Sequence, residues 1–189
     1  MNIFFIVFFF MLSINSQELS SPDDTYVVLN TIDKVEIREY RPLFFASYHG
    51  NNTANPPNSS FRVLAEYIFG GNEEKETIAM TSPVVIKLFE NRKMLFRMPG
   101  KYNEQNIPQP NNADVKFIST KSIQKAVIKY GGHTNEMKEE KQIKILKNIL
   151  DKYNIQHNNQ FELFVYDPPY KIFNRRNEIS VNIVIEKND

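Results

Sequence analysis

No cysteine and no tryptophan occur in the 189 residues, and glycine is scarce at six. Without cysteine there is no disulfide framework, no thiolate metal site, no cysteine nucleophile and no thioether attachment of a cofactor. A chain of this length buries enough apolar surface to fold without cross-links. Neither sign of charge prevails. Lys and Arg number 23 against 22 Asp and Glu, a formal net charge of +1. That balance argues against nucleic acid or an acidic membrane surface as the main partner. The longest apolar run, residues 3–12, is too short to cross a bilayer, which takes about 18 residues or more. No Lys or Arg precedes it, and Ser13, Ile14, Asn15 and Ser16 follow. The layout predicts a secretory signal over residues 1–16, with the chain's own amino group as its positive end and cleavage after Ser16. An uncleaved anchor is the alternative. The expectation is a secreted protein with no stable membrane insertion once the signal is removed.

The three histidines, His49, His133 and His157, are spaced 84 (49 to 133) and 24 (133 to 157) apart, which fits no metal motif. There is no Gly-rich phosphate loop and no assignable serine–histidine–acid set, so no enzyme is expected. Each histidine reads first as a solvated loop residue. His49, nearest the first helix in chain order, is the one weak candidate for a metal ligand.

What the chain has is aromatic bulk, 15 Phe and 9 Tyr, distributed over two patterned halves. Phe61, Leu64, Ala65 and Ile68 recur at helical spacing, with Ser59 or Ser60 as cap and Gly70-Gly71 as the stop. Ile143, Leu146, Leu150 and Tyr153 line a second helix, capped by Thr134 or Asn135. Strands are expected at 26–29, 35–40, 43–48, 84–89 and 94–98, and again at 115–119, 123–130, 161–166 and 179–185. In the second of these, Val35, Ile37 and Glu39 face one way and Glu36, Arg38 and Tyr40 the other. Residues 99–113, with Pro99, Pro108 and Pro110 and no apolar period, read as a linker. The domain reading is a leader at 17–25 and one domain at 26–189, with halves 26–98 and 114–186. The fold class is α+β: duplicated ββαββ units forming a distorted β-barrel, or two facing curved sheets, flanked by two helices. Asn51 and Asn58 open N-glycosylation sequons in one polar loop, so the chain is expected to be a glycoprotein.

Five stretches in order carry a resemblance: Val35-Glu36-Ile37-Arg38-Glu39-Tyr40; Tyr67-Ile68-Phe69-Gly70; Met80-Thr81-Ser82-Pro83-Val84; Phe96-Arg97-Met98-Pro99; and Tyr166-Asp167-Pro168-Pro169 with Arg175-Arg176-Asn177-Glu178. Together they resemble the SOUL haem-binding protein family over roughly residues 26–185. The resemblance implies a duplicated barrel with two flanking helices and non-covalent binding of haem or another tetrapyrrole. It implies no enzymatic activity. Some members offer a histidine as axial ligand in the strand that here carries Glu39, a hard oxygen ligand poorly suited to haem iron. In others binding looks unligated, with apolar contact along the first helix and basic residues meeting the propionates. Carried over, Arg62 and Lys171 would pair with propionates, Tyr67 would stack on the ring, and Met80 would touch it through sulfur.

Blander readings stand beside these. Met80 and Met98 also suit core filling, and Tyr67 the edge of the core. Asp167-Pro168-Pro169 is a rigid turn. Arg175, Arg176 and Glu178 suit an ion-pair network pinning the loop, with a cation site or base at Glu178 as the alternative. Leu146 followed by Asp151 reads as a core stripe ending in an acid. The resemblance adds a helix-in-groove protein partner. The alternative function is therefore a non-haem module binding a protein partner or an amphipathic small molecule.

Overall fold

The computed structural model describes residues 25–48 and 57–184, and the side chains of 57 and 58 are not described. The expected signal at 1–16, the leader up to residue 24, His49 and Asn51 lie outside the described residues. Asn58 is described only as backbone of the first helix.

Alternating strands and two amphipathic helices follow in the order β1 (Tyr26–Ile32), β2 (Val35–Tyr40), β3 (Phe44–Tyr48), α1 (Pro57–Ile68), β4 (Val84–Lys87), β5 (Lys93–Arg97), β6 (Val115–Ser119), β7 (Ile123–Gly131), α2 (Glu136–Lys152), β8 (His157–Val165) and β9 (Arg176–Ile183). Among the described residues all nine strands join one antiparallel sheet in the order β1-β2-β7-β9-β8-β4-β5-β3-β6. From β2 onward the order reads the same from both ends when β2, β3, β4 and β5 are exchanged with β6, β7, β8 and β9. Each unit thus lends its first strand to the other, β2 pairing β7 and β6 pairing β3.

The period of two sorts the side chains onto two faces. On the outer face, Leu64 and Ile68 of α1 pack with Ala46, Met94 and Phe96. Leu146 and Leu150 of α2 pack with Val35, Ile37, Ile128 and Ile179. Burying each of these helix residues is worth roughly 1.5–3 kcal/mol before entropy. On the inner face, Tyr26 of β1 and Ile118 of β6, from opposite ends of the ladder, join one cluster with Tyr40, Phe45, Leu95 and Phe164. The sheet therefore curls upon itself. No ladder joins β1 to β6, so by hydrogen bonding it is an open nine-stranded sheet and not a closed barrel.

Three local expectations change. Helix α1 begins at Pro57, a residue suited to a first helical turn because its missing N–H has no partner there, and Ser59 and Ser60 lie inside the helix. Its buried face is Leu64, Tyr67 and Ile68, while Phe61 is turned outward. Its end is as expected: Gly70 takes φ +103° and the Gly71 N–H donates to Glu66 O at 2.9 Å. The linker 99–113 is itself packed. Tyr102 and Ile107 are buried in the α1 core, and the Asn111 N–H donates to Gly71 O. In α2, Asn135 is the cap, its Oδ1 accepting from the Lys138 N–H at 2.9 Å. Tyr153 ends that helix exposed, and Leu146 and Leu150 are fully buried, so the stripe is core.

Candidate functional site

Because β4 alternates, Val84 and Ile86 point outward on the side where α1 ends. With Met94 of β5 and Val165 of β8 they floor a groove of about 720 Å³. Phe61, Phe69 and Met80 form one wall, and residues 167–170 form the other. The volume lies within the range of small-molecule sites, roughly 300–1,000 Å³. Its apolar rims are open: Met80 is 45% and Tyr170 84% exposed. Phe61 is held in place by an edge contact to Phe96, with ring centres 5.3 Å apart.

The polar side of the groove is the loop between β8 and β9. Asp167 Oδ1 accepts from Lys171 Nζ at 2.5 Å and Oδ2 from the Arg176 N–H at 2.6 Å. The Lys171 hydrogen bond, then the Arg176 N–H, hold the Asp167 carboxyl below its ordinary value. The buried Arg175 guanidinium donates to Pro168 O, Lys171 O and Asp167 O at 2.5, 2.8 and 3.1 Å, bracing the loop from within. Beneath it, Glu178 takes two hydrogen bonds from Arg38, at 2.8 and 3.0 Å, two from Arg176 and one from Tyr166 Oη. Burial alone would raise the Glu178 carboxyl. Hydrogen bonds and charge from Arg38, then Arg176, overcome burial and hold it low. Burial, reinforced by the Glu178 charge, pushes the Tyr166 phenol well up. Glu178 has no open coordination position for a cation and no proton to trade, so the ion-pair reading describes it. Among the described residues no cluster of three His, Asp or Glu side chains is placed to hold a metal.

The residues named from the sequence separate here. Met80 lines the groove. Lys171 is not part of the lining and meets it only through its pair with Asp167. Arg62 is exposed on α1 beside Phe61 but is not part of the lining. Tyr67 is corrected: it is 1% exposed, its hydroxyl donates to Pro108 O at 2.9 Å, and its ring packs on Phe117. It is a core residue with no face for a ligand, because α1 buries Tyr67 fully against the sheet and leaves Phe61 at the margin, on Phe96. His133 and His157 line neither this groove nor the interior of the sheet. His157 instead accepts the Asn159 N–H through Nδ1. Glu39 accepts from Ser122 Oγ and does not line the groove, and Met98 is core. Sequence reasoning missed Phe61 as a groove wall, Phe69, Val84 and Tyr170. The one local signal was Pro168-Pro169-Tyr170, which holds an aromatic out from a stiff turn.

A family model described as SOUL heme-binding protein matches residues 19–182. Heme-binding protein 1 of Xenopus tropicalis is 28% identical over 154 residues, covering 76% of this chain and 80% of that one. Heme-binding protein 1 of Xenopus laevis is 27% identical over 124 residues, 61% of this chain. That match spans 65% of the relative's length. Among solved structures, an uncharacterized conserved protein from Listeria innocua shares the fold at a TM-score of 0.60 and 8% identity, covering 80% of this chain and 92% of that one. The EcmrR C-terminal domain does so at 0.57 and 11%, covering 80% and 98%. Identities this low speak for the fold alone. The family match runs through both helices and most of the sheet, and on that extent the chain belongs to the SOUL heme-binding protein family.

Proposed function

We propose that this chain binds haem or a closely related tetrapyrrole, without a covalent bond, in the groove between the end of α1 and the β8–β9 loop. The observation that carries this is the groove itself: about 720 Å³, apolar on its floor and its α1 wall, with Asp167 and Arg175 on the loop side and Lys171 paired to that Asp167. Haem supplies a flat apolar ring, two propionates and an iron open to axial donors. The lining fits the ring and the carboxylates better than the iron. Phe61, Met80, Val84, Val165 and Tyr170 offer apolar contact, and the only soft donors among the lining residues are the Met80 and Met94 thioethers. An ammonium has three N–H groups, so Lys171 can hold Asp167 and a propionate together. Arg62, one residue from the groove wall, is the second propionate partner.

The Heme-binding protein 1 relatives support the same ligand. The reading is of a binding protein and not an enzyme. It takes residues 1–16 as a secretory signal, binding as extracellular or luminal, and Asn51 and Asn58 as glycosylated. It takes the curled sheet as a distorted barrel closed by side chains on its inner face. Expression with residues 1–16 intact, followed by the mass of any exported protein, tests the secretion and glycosylation part.

Titration of hemin into the purified chain tests the binding. A saturable, shifted Soret band is expected, weakened about tenfold or more by Met80→Glu and severalfold by Lys171→Ala, with a smaller effect of Arg62→Ala. A band that never saturates overturns haem binding, and equal affinities in all variants overturn the groove as its site.

A further inference from the structure

The sheet has a second hollow on the face opposite the groove. Along β4, Val84 and Ile86 face the groove while Val85 and Lys87 line the hollow. Along β8, Val165 faces the groove while Glu162 and Phe164 line the hollow. The two spaces thus lie back to back across the same strands, and Tyr166 is the only described residue lining both.

The hollow measures about 230 Å³, a third of the groove and too small for a tetrapyrrole. It exceeds the roughly 150 Å³ that accepts one benzene ring in a protein core, and so suits a body of about ten carbons. Phe45, Val85, Leu95, Ile118 and Phe164 make its apolar walls. Its mouth among the described residues is the turn between β6 and β7, where the lining residues Lys121 and Ser122 are exposed.

Charge sets the hollow apart. Lys87, Arg97, Lys121 and Lys125 line it, against Glu162 alone. Existing pairs do not cancel that surplus. Lys125 pairs with Glu162, and Lys87 meets Glu90 at 3.2 Å. Glu90 is itself shared with Lys93 at 3.4 Å, so three ammonium groups divide two carboxylates. Lys121 has no ion pair among the described residues. The surplus stands without counting Arg97, which donates to Thr81 Oγ1 and Ser82 O. Uncancelled positive charge around an apolar concavity draws in an anion, because low-dielectric walls focus its field. A cation is repelled there, and a neutral guest leaves the surplus as it was. The anionic head belongs at the mouth. Lys121 is unpaired, and a carboxylate beside it keeps part of its hydration, whereas one driven inward has to part Lys125 from Glu162.

We infer that the inner hollow is a second binding site, for a small monoanionic amphiphile whose apolar body of about ten carbons lies among the walls and whose carboxylate is met by Lys121. The site is separate from the haem groove and stands whether or not that groove takes haem.

Calorimetric titration of the purified chain with three isosteres tests this: 2-naphthoate, neutral 2-naphthamide and cationic 2-naphthamidine. One saturable naphthoate site is expected, about fivefold or more tighter than the amide, with the amidine weakest. Raising the salt to about 0.5 M narrows the gap between naphthoate and amide. Lys121→Glu, at an exposed and unpaired position, weakens naphthoate at least tenfold and leaves the amide and hemin within twofold. Val85→Phe, which fills the hollow, weakens naphthoate and amide alike at least tenfold while hemin affinity holds. Should Val85→Phe fail to fold, Lys121→Glu still decides. No saturable naphthoate binding, equal affinity for naphthoate and amide, unchanged naphthoate affinity in Lys121→Glu, or competitive displacement of naphthoate by hemin overturns the proposal. Naphthoate binding to a chain that does not take hemin supports the inner site and removes only the groove reading.

Discussion

Arg38 and Glu178, 140 positions apart in the chain, meet in a two-point ion pair with no exposed surface on either side chain. The pair joins β2 to β9 across the intervening β7, and it lies beneath the loop that walls the groove. Arg176, Tyr166, Tyr40 and Glu36 complete its hydrogen bonds, Glu36 and Tyr40 from the same face of β2 as Arg38.

Removing one partner leaves the other buried with a single ionic partner, Arg176 for Glu178 or Glu36 for Arg38. Arg38→Met or Glu178→Gln alone is expected to destabilise the chain by about 3–5 kcal/mol. The double variant Arg38→Met/Glu178→Leu recovers much of that loss. Urea unfolding of the three variants measures it, and a double variant no better than either single one refutes it.

The same network sets an acid limit. Glu178 and Asp167 are both held below their ordinary values in the folded chain. A carboxyl depressed on folding contributes stability that is complete above its unfolded value, about 4. That stability is lost as pH falls through the folded value. The urea midpoint is therefore expected to hold between pH 7 and 5 and to fall steeply below about pH 4. In Glu178→Gln the decline should be shallower; an unchanged slope would assign the acid limit to other groups.

Tyr67→Phe separates core from site. It deletes the hydrogen bond to Pro108 O and leaves the ring, so stability drops by about 1 kcal/mol. Hemin affinity should not move, because the ring is buried against Phe117. A severalfold loss of hemin affinity would put Tyr67 back at the site.

At Met80 the expectation reverses. Half of this side chain is already in solvent, so Met80→Glu should change stability by no more than about 0.5 kcal/mol. It sets a carboxylate on the groove wall against an acidic ligand, and thermal unfolding beside the hemin titration reads both effects. A large loss of stability with unchanged binding would make Met80 a packing residue.

Gly71 is a backbone contact. A Cβ placed there would stand 2.6 Å from Glu66 O, too close without movement of the α1 terminus. Gly71→Ala is expected to lower stability by about 1–3 kcal/mol, and a melt within experimental error of the parent chain would show that the terminus gives way freely.

Period and punctuation alone settled much of this protein. The alternation in Val35–Tyr40 assigned Val35 and Ile37 to one face and Arg38 and Tyr40 to the other, as the structure has them. Thr134 or Asn135, and Gly70-Gly71, marked helix ends because capping and positive φ are properties of single residues; the structure uses Asn135 and Gly70. Tertiary packing decided the rest. Spacing put Phe61 in the apolar stripe of α1 and Tyr67 at its edge, and only the strands beneath decided that Tyr67 is the one fully covered. No spacing links Arg38 to Glu178, since that contact exists only after each unit's first strand crosses to the other. The groove and the inner cavity arise the same way, from alternate residues of β4 and β8 whose two faces acquire different neighbours when the sheet curls.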